Sequence, residues 1–262
     1  MTKNKTLAVV LVILFVLALL IVLGQSVFRV GKVELVAHTT THYLSTLTED
    51  SVLSGSKLDK GKSVFLLDRD DYKANLEASQ PYIQVLAIEV VWPNTVKFHY
   101  AERVEIYALQ LSDGYYAYLD ENFKVLRVSQ AEFNSTQQNC ILLNQSLDKT
   151  VLDVHAGDFL NKDDFADFVG LVEAYASLGY SLTQMESMIS SLSITTDDDG
   201  RKLNIQTFLG VNIQILNSAY HTTQKVSLAY QMMSQLTESE RARGTIYVFK
   251  NNLDVLETRY IA

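Results

Sequence analysis

The chain has 262 residues, 48% of them hydrophobic, with 22 basic against 30 acidic side chains, one cysteine and two prolines. That composition excludes a disordered tail, a collagen-like rod and a disulfide-stapled miniprotein, and leaves length for one large core or two small ones. The acidic surplus grows from −8 to −10 once the first 24 residues, with Lys3 and Lys5, are set aside, and it argues against a nucleic-acid partner, which needs clustered Lys and Arg.

Leu7 to Leu23 is a run of seventeen apolar residues without one polar side chain. At about 1.5 Å per residue it spans roughly 26 Å, and with Thr6, Gly24 and Val27 to Phe28 it reaches the ~30 Å hydrocarbon thickness of a bilayer. A cleaved signal peptide has a shorter apolar core and a small-x-small exit, for which Leu23-Gly24-Gln25-Ser26-Val27 is a poor site. The expectation is a transmembrane helix over 7–24. Lys3, Lys5 and the terminal amine, against Arg29 and Lys32, orient it with a cytoplasmic tail of residues 1–6 and everything after it outside: a single-pass type II protein of the cell membrane.

Residues 28 to 103 read as strand, helix, helix, strand, strand. Phe28 to Leu35 alternates like a strand, Thr48-Glu49-Asp50 opens one helix with a hydroxyl cap and early acids, and Asp68-Arg69-Asp70-Asp71 opens a second. The Gly-led apolar stretch Gly61 to Leu67 is expected to pin the connection to the core, and Pro81 ends the second helix. In the strand from Tyr82 to Val91, the set Leu86, Ile88, Val90 and Trp92 is the more apolar face. Trp92-Pro93-Asn94-Thr95 is a turn, and Val96, Phe98 and Tyr100 mark the buried face of the returning strand.

Beyond residue 103 the pattern is strand-rich. Tyr115 to Leu119 and Phe123 to Val128 flank the turn Asp120-Glu121-Asn122, and a helix over about Lys162 to Leu178 stops at Gly179. Strands follow near Leu192 to Thr195, Leu203 to Phe208 and Val211 to Leu216, then a helix over about Thr223 to Leu236 and two closing strands, Thr245 to Phe249 and Leu253 to Tyr260. The fold class expected is α+β, with a mixed or antiparallel sheet and two longer helices in this second part.

The segment Ala87-Ile88-Glu89-Val90-Val91-Trp92-Pro93-Asn94-Thr95-Val96-Lys97-Phe98-His99-Tyr100-Ala101-Glu102-Arg103 resembles the strand, aromatic-Pro-Asn-Thr turn, strand and Glu-Arg ending of the FtsQ/DivIB bacterial cell-division family. The short basic tail, the apolar span, Gly61-Lys62-Ser63-Val64-Phe65-Leu66-Leu67-Asp68, Gln80-Pro81-Tyr82-Ile83, Asp120 to Leu126, Leu209-Gly210-Val211-Asn212 and Lys225 are similar to it in order and spacing. Three departures stand out: Asn122 or Phe123 occupies a usual glycine, Glu105 a usual proline, and Tyr247-Val248-Phe249-Lys250 a common acidic-Leu-Arg run. The resemblance implies a POTRA domain over 25–103 and a β-domain over 104–262.

It also implies a non-enzymatic scaffold of the divisome, at the septum, that binds FtsB/DivIC-type and FtsL-type single-span proteins and helps regulate septal peptidoglycan synthesis. Its last strand would receive the FtsB/DivIC segment by strand addition, because an edge strand leaves one row of backbone groups unpaired. The residues expected to bind are Tyr247, Lys250, Leu253, Asp254, Val255, Leu256, Glu257, Thr258, Arg259 and Tyr260. No cofactor and no small-molecule substrate is expected.

Enzyme and metal readings are weaker. His38 and His42 have the four-residue spacing of a zinc pair, but Thr39-Thr40-Thr41 favours extended structure and no glutamate follows the first histidine. Asp197-Asp198-Asp199-Gly200 lacks the alternating ligands of a calcium loop and fits a hairpin turn. There is no Gly-x-Ser-x-Gly, Cys140 sits in Gln138-Asn139-Cys140-Ile141-Leu142, the start of an expected strand where a small buried thiol is common, and Asp163 and Asp164 suit the first turn of a helix. The alternative function is a membrane-anchored protein that binds or hydrolyses cell wall, which would act on peptidoglycan without a partner.

Overall fold

A computed structural model describes residues 10–19, 21–22, 27–38, 47–131, 133, 140–144, 149–197 and 200–262. Among them no helix is long and apolar enough to cross a membrane. Residues 10–19 and 21–22 are helical and every one of them is exposed, Phe15 at 69%. A ten-residue helix rises only about 15 Å, half a hydrocarbon core. The expected span over 7–24 is therefore not met within the described residues; 7–9, 20, 23 and 24 lie outside them.

The chain divides into two compact units, Met1–Arg103 and Val104–Ala262. The first contains β1 (Lys32–Ala37), α1 (Glu49–Ser56), α2 (Arg69–Ser79), β2 (Ile83–Val91) and β3 (Thr95–Glu102). The sheet order is β1-β3-β2, with β1 parallel and β2 antiparallel to β3. Thr48 and Ser51 close a capping box on α1, and Asp68 accepts from the Asp71 N–H to start α2. Val52, Tyr72 and Leu76 of the helices meet Val33, Ile83, Val85, Ile88, Val96 and Phe98 of the strands in one core. Of the stretch between the helices, Leu58 and Val64 are buried in that core and Leu67 packs on it, while Phe65 and Leu66 are exposed.

Alternation along β2 breaks where the sequence reading kept it. Ile83 and Val85 are fully buried, then the register slips between Val85 and Ala87, and burial resumes at Ile88. The bulge leaves Leu86 exposed at 47%, and Trp92, beyond the strand in a turn with a cis Trp92–Pro93 bond, is exposed at 57%. The face expected from Leu86, Ile88, Val90 and Trp92 is thus corrected: one extra residue reverses the parity of everything before it.

The second unit is a nine-stranded mixed sheet of β4 (Tyr107–Gln110), β5 (Tyr116–Leu119), β6 (Val125–Ser129), β7 (Ile141–Asn144), β8 (Ile189–Asp197), β9 (Gly200–Thr207), β10 (Asn212–Leu216), β11 (Thr245–Lys250) and β12 (Leu256–Ile261). Its order is β12-β11-β10-β9-β8-β7-β4-β5-β6. Parallel neighbours β7/β8 and β10/β11 are joined by helical crossovers: α3 (Ala166–Ser177) with α4 (Leu182–Met188) in the first, α5 (Thr222–Gln235) with α6 (Glu238–Arg241) in the second. Phe168, Leu171 and Tyr175 of α3 and Val226 and Ala229 of α5 pack with Ile205, Ile213, Ile246 and Val248 in the main core. The helix expected from Lys162 begins as a 3-10 turn, Lys162–Phe165, before α3.

Candidate partner-binding edge

β12 ends the large sheet and pairs only with β11 among the described strands, running Leu256 against Lys250 through Ile261 against Thr245. The hairpin is closed by the Asn251 N–H, which donates to the Val255 carbonyl at 2.9 Å. Bonded and non-bonded pairs alternate along an antiparallel ladder. Counting from that closure, Glu257, Arg259 and Ile261 exchange hydrogen bonds with β11, and the backbone N–H and C=O groups of Leu256, Thr258 and Tyr260 point away from the sheet.

The expected strand from Leu253 to Tyr260 starts three residues too early. Leu253, Asp254 and Val255 form the turn: the Asn251 side-chain oxygen accepts from the N–H groups of Leu253 at 2.8 Å and Val255 at 3.0 Å, and Asp254 takes a left-handed φ of 62°. The rest divide between two faces, since residues directly opposite in register share one. Leu256, Thr258 and Tyr260 lie on the face of Val248 and Ile246, toward α5. Glu257 and Arg259 lie on the other face, opposite Phe249 and Tyr247.

Tyr260 belongs partly to the fold. Its ring packs on the main core, and its hydroxyl lies 3.1 and 3.2 Å from the carbonyls of Glu240 and Arg243. Phe249 and Ile261, missed in the sequence reading, share the open face with Tyr247, Glu257 and Arg259; the two-residue alternation of β11 and β12 was the signal that could have found them.

Lys250 donates to Asp254 at 2.7 Å within the same hairpin, and that hydrogen bond, then the lysine charge, holds the Asp254 carboxyl below its usual range. A cleft of about 340 Å³ beside it is lined by Leu216, Asn217, Tyr220, Lys225 and Lys250. Lys225 is 2% exposed and donates at 2.7 Å to the carbonyls of both Leu216 and Asn217. Its burial, then the charge of Lys250, lowers its pKa.

The chemistry-bearing candidates elsewhere have structural partners. His38 Nε2 is 3.0 Å from His99 Nδ1, whose other nitrogen is 3.1 Å from Glu89; His42 lies outside the described residues. Asp197 and Gly200 face each other across the β8–β9 turn, Lys202 pairs with Asp197 at 2.7 Å, and Asp198 and Asp199 lie outside the described residues. Cys140 is buried, its thiol donating to the Glu105 carbonyl at 3.5 Å and pushed up to about 12 by burial. Among the described residues no group of three or more His, Cys, Asp or Glu could hold a metal ion.

Residues of the sequence signature hold the fold. Arg103 donates to Glu77 at 3.1 Å and to the Ile83 carbonyl at 3.3 Å, while Glu77 also accepts from the Val85 N–H at 2.8 Å. The pair locks α2 to β2 beside the bulge. Glu105, in the position of a usual proline, accepts from Arg127 through both oxygens at 2.6 and 3.0 Å, and the Arg127 guanidinium lies 3.5 Å over the Tyr118 ring. Phe123 holds the left-handed turn position with φ 59°, and its ring stacks between Tyr107 and Phe165 at 5.3 and 4.6 Å.

Residues 41–103 match the family model of the POTRA domain, FtsQ-type. The chain is also similar to the cell division protein DivIB of Clostridium acetobutylicum, 29% identical over 98 residues, which are 37% of this chain and 37% of that protein. The match thus spans little more than a third of the relative's length. Residues 41–103 are thus similar to an FtsQ-type POTRA domain, and that match and the DivIB likeness together support the FtsQ/DivIB family.

Proposed function

We propose that the chain is a non-enzymatic scaffold of bacterial cell division. It is anchored in the cell membrane at the septum by residues 7–24 and helps regulate septal peptidoglycan synthesis through FtsB/DivIC-type and FtsL-type partners. The apolar run Leu7 to Leu23 and the all-exposed apolar side chains of residues 10–19 and 21–22 support the anchor: a helix apolar all round needs a non-aqueous surrounding. The name of the Clostridium relative supports the division role.

The observation that carries the binding reading is the outer edge of β12, where the groups of Leu256, Thr258 and Tyr260 face outward. An added strand from the FtsB/DivIC-type partner gains main-chain hydrogen bonds there and reads side chains on the two faces separately. Thr258→Pro is the direct test, because it deletes an outward donor, removes no bond to β11, and puts a ring in the path of an incoming strand. With the partner's hydrogen bonds worth about 0.5–1.5 kcal/mol each, the variant loses about tenfold or more in affinity while its urea midpoint stays near wild type. In cells depleted of the wild-type chain the variant leaves filaments with blocked septa. Full partner recovery on the Thr258→Pro chain sinks strand addition, and normal septation after depletion of the wild type sinks the division role.

A further inference from the structure

The first unit carries an aromatic surface feature of which only Phe28 also packs on the core. Phe28, Phe65 and Trp92 form an aromatic trio with ring centroids 5.0 to 5.5 Å apart, with Leu66 following Phe65 in chain. Phe65, Leu66 and Trp92 are 61%, 72% and 57% exposed, a contiguous apolar patch of the kind that marks an interaction surface. The backbone holds it together: the Val64 N–H donates to the Phe28 carbonyl and the Val30 N–H to the Lys62 carbonyl, each at 2.9 Å, so the exposed Arg29 and Lys62 stand on the two segments that carry Phe28 and Phe65, the Lys62 ammonium donating to the Tyr72 hydroxyl at 2.6 Å.

Chain length says what lies opposite. Phe28 is four residues after Gly24, the end of the apolar segment, so it sits at most about 14 Å from the hydrocarbon edge. The headgroup layer itself is roughly 5–7 Å deep on each side. Aromatic rings gather at that layer, and basic side chains near it are drawn to anionic lipid. Arg29 and Lys62 are a local basic pair on an external part whose acids outnumber its bases.

We propose that Phe28, Phe65, Leu66 and Trp92, flanked by Arg29 and Lys62, are a membrane-contact surface that seats the POTRA domain on an anionic bilayer leaflet. The proposal rests on the reading of residues 7–24 as an anchor. It gives the domain a fixed lean on the membrane, which a short flexible link alone does not.

Trp92 is the single tryptophan of the chain, so its emission reports on the patch alone. The full chain is reconstituted into nanodiscs of phosphatidylglycerol and phosphatidylcholine, with and without bromine at a shallow acyl position. The expected result is loss of most Trp92 emission in the brominated discs, a weaker loss in discs of phosphatidylcholine only, and recovery of emission in the Phe65→Ser, Leu66→Ser double variant. Comparing brominated with ordinary lipid for each chain cancels any direct effect of the substitutions on Trp92. Extraction with alkaline carbonate reads the anchor separately. A chain that resists extraction but keeps full Trp92 emission overturns the surface and leaves the anchor standing; a chain released by carbonate overturns both. Equal quenching of wild type and double variant also overturns the surface.

Discussion

At the scale of single residues, two carboxylates have opposite environments. Glu77 is 12% exposed in its side chain but is met by Arg103 and the Val85 N–H, so its charge is answered. Removing the guanidinium takes the opposite charge away from a nearly buried carboxylate, a loss that costs about 3–5 kcal/mol. Arg103→Ala is expected to lower the stability of the first unit by that amount in urea unfolding; a change under about 1 kcal/mol would show the pair to be solvated after all. Glu186 is the reverse case: one side-chain oxygen is buried with no hydrogen-bond partner, and burial pushes its pKa up to about 7. An unfolded chain releases this proton near 4.5, so between about pH 4.5 and 7 the folded state holds a proton that the unfolded state has lost. Stability is therefore highest below that window and falls as pH rises through it. Glu186→Gln is expected to flatten the slope and to gain about 1 kcal/mol at pH 8, once partial contact with water is allowed for. An unchanged slope between pH 5 and pH 8 would remove Glu186 from the account.

At the scale of elements, the β2 bulge separates two residues that strict alternation places together. Leu86 lies out of the core and Ile88 in it, 47% against 7% exposed. Leu86→Ser is expected to change stability by less than about 0.5 kcal/mol and Ile88→Ala to cost about 2–5 kcal/mol, read as shifts of the urea midpoint. Comparable losses at both positions would restore unbroken alternation. The elements legible in sequence were those with local signals: the caps Thr48 and Asp68, the Pro81 stop, the Asp120 turn and the long apolar periodicities of α3 and α5. β4 escaped: it has four residues, too few for a period, it lacks the turn signal that marked the equally short β5, and it pairs in parallel with a strand from far along the chain, whereas the strand expected to start around Cys140 is met by β7 from Ile141. α4 carried a readable capping box, Ser181 with Gln184, but only seven residues behind it. The edge site was legible as a last strand, whereas its true start depended on the Asn251 side chain folding back on its own hairpin. Which groups face outward depended on register, and no single-strand pattern carries that.

At the scale of the whole molecule, the two units have separate cores: no residue of the set around Val33, Leu76 and Phe98 belongs to the set around Phe168, Ile213 and Val248. The ion pairs that lock them are internal as well, Glu77 with Arg103 in one, Glu105 with Arg127 and Asp167 with Arg201 in the other. Cooperative unfolding follows a shared core, so a chain with two of them has no reason to lose both at one denaturant concentration. Urea unfolding of the full chain is therefore expected to show two transitions, the first unit followed by the circular dichroism and emission of Trp92, the second by near-ultraviolet signals of its buried tyrosines Tyr107, Tyr118 and Tyr175. The single-site variants assign them: Arg103→Ala moves the transition seen by Trp92 and leaves the tyrosine transition in place, while Glu186→Gln at pH 8 does the opposite. One transition reported identically by both probes, and moved by both variants, would mean that the two units unfold as one body and that the edge strand at β12 is energetically tied to the POTRA domain.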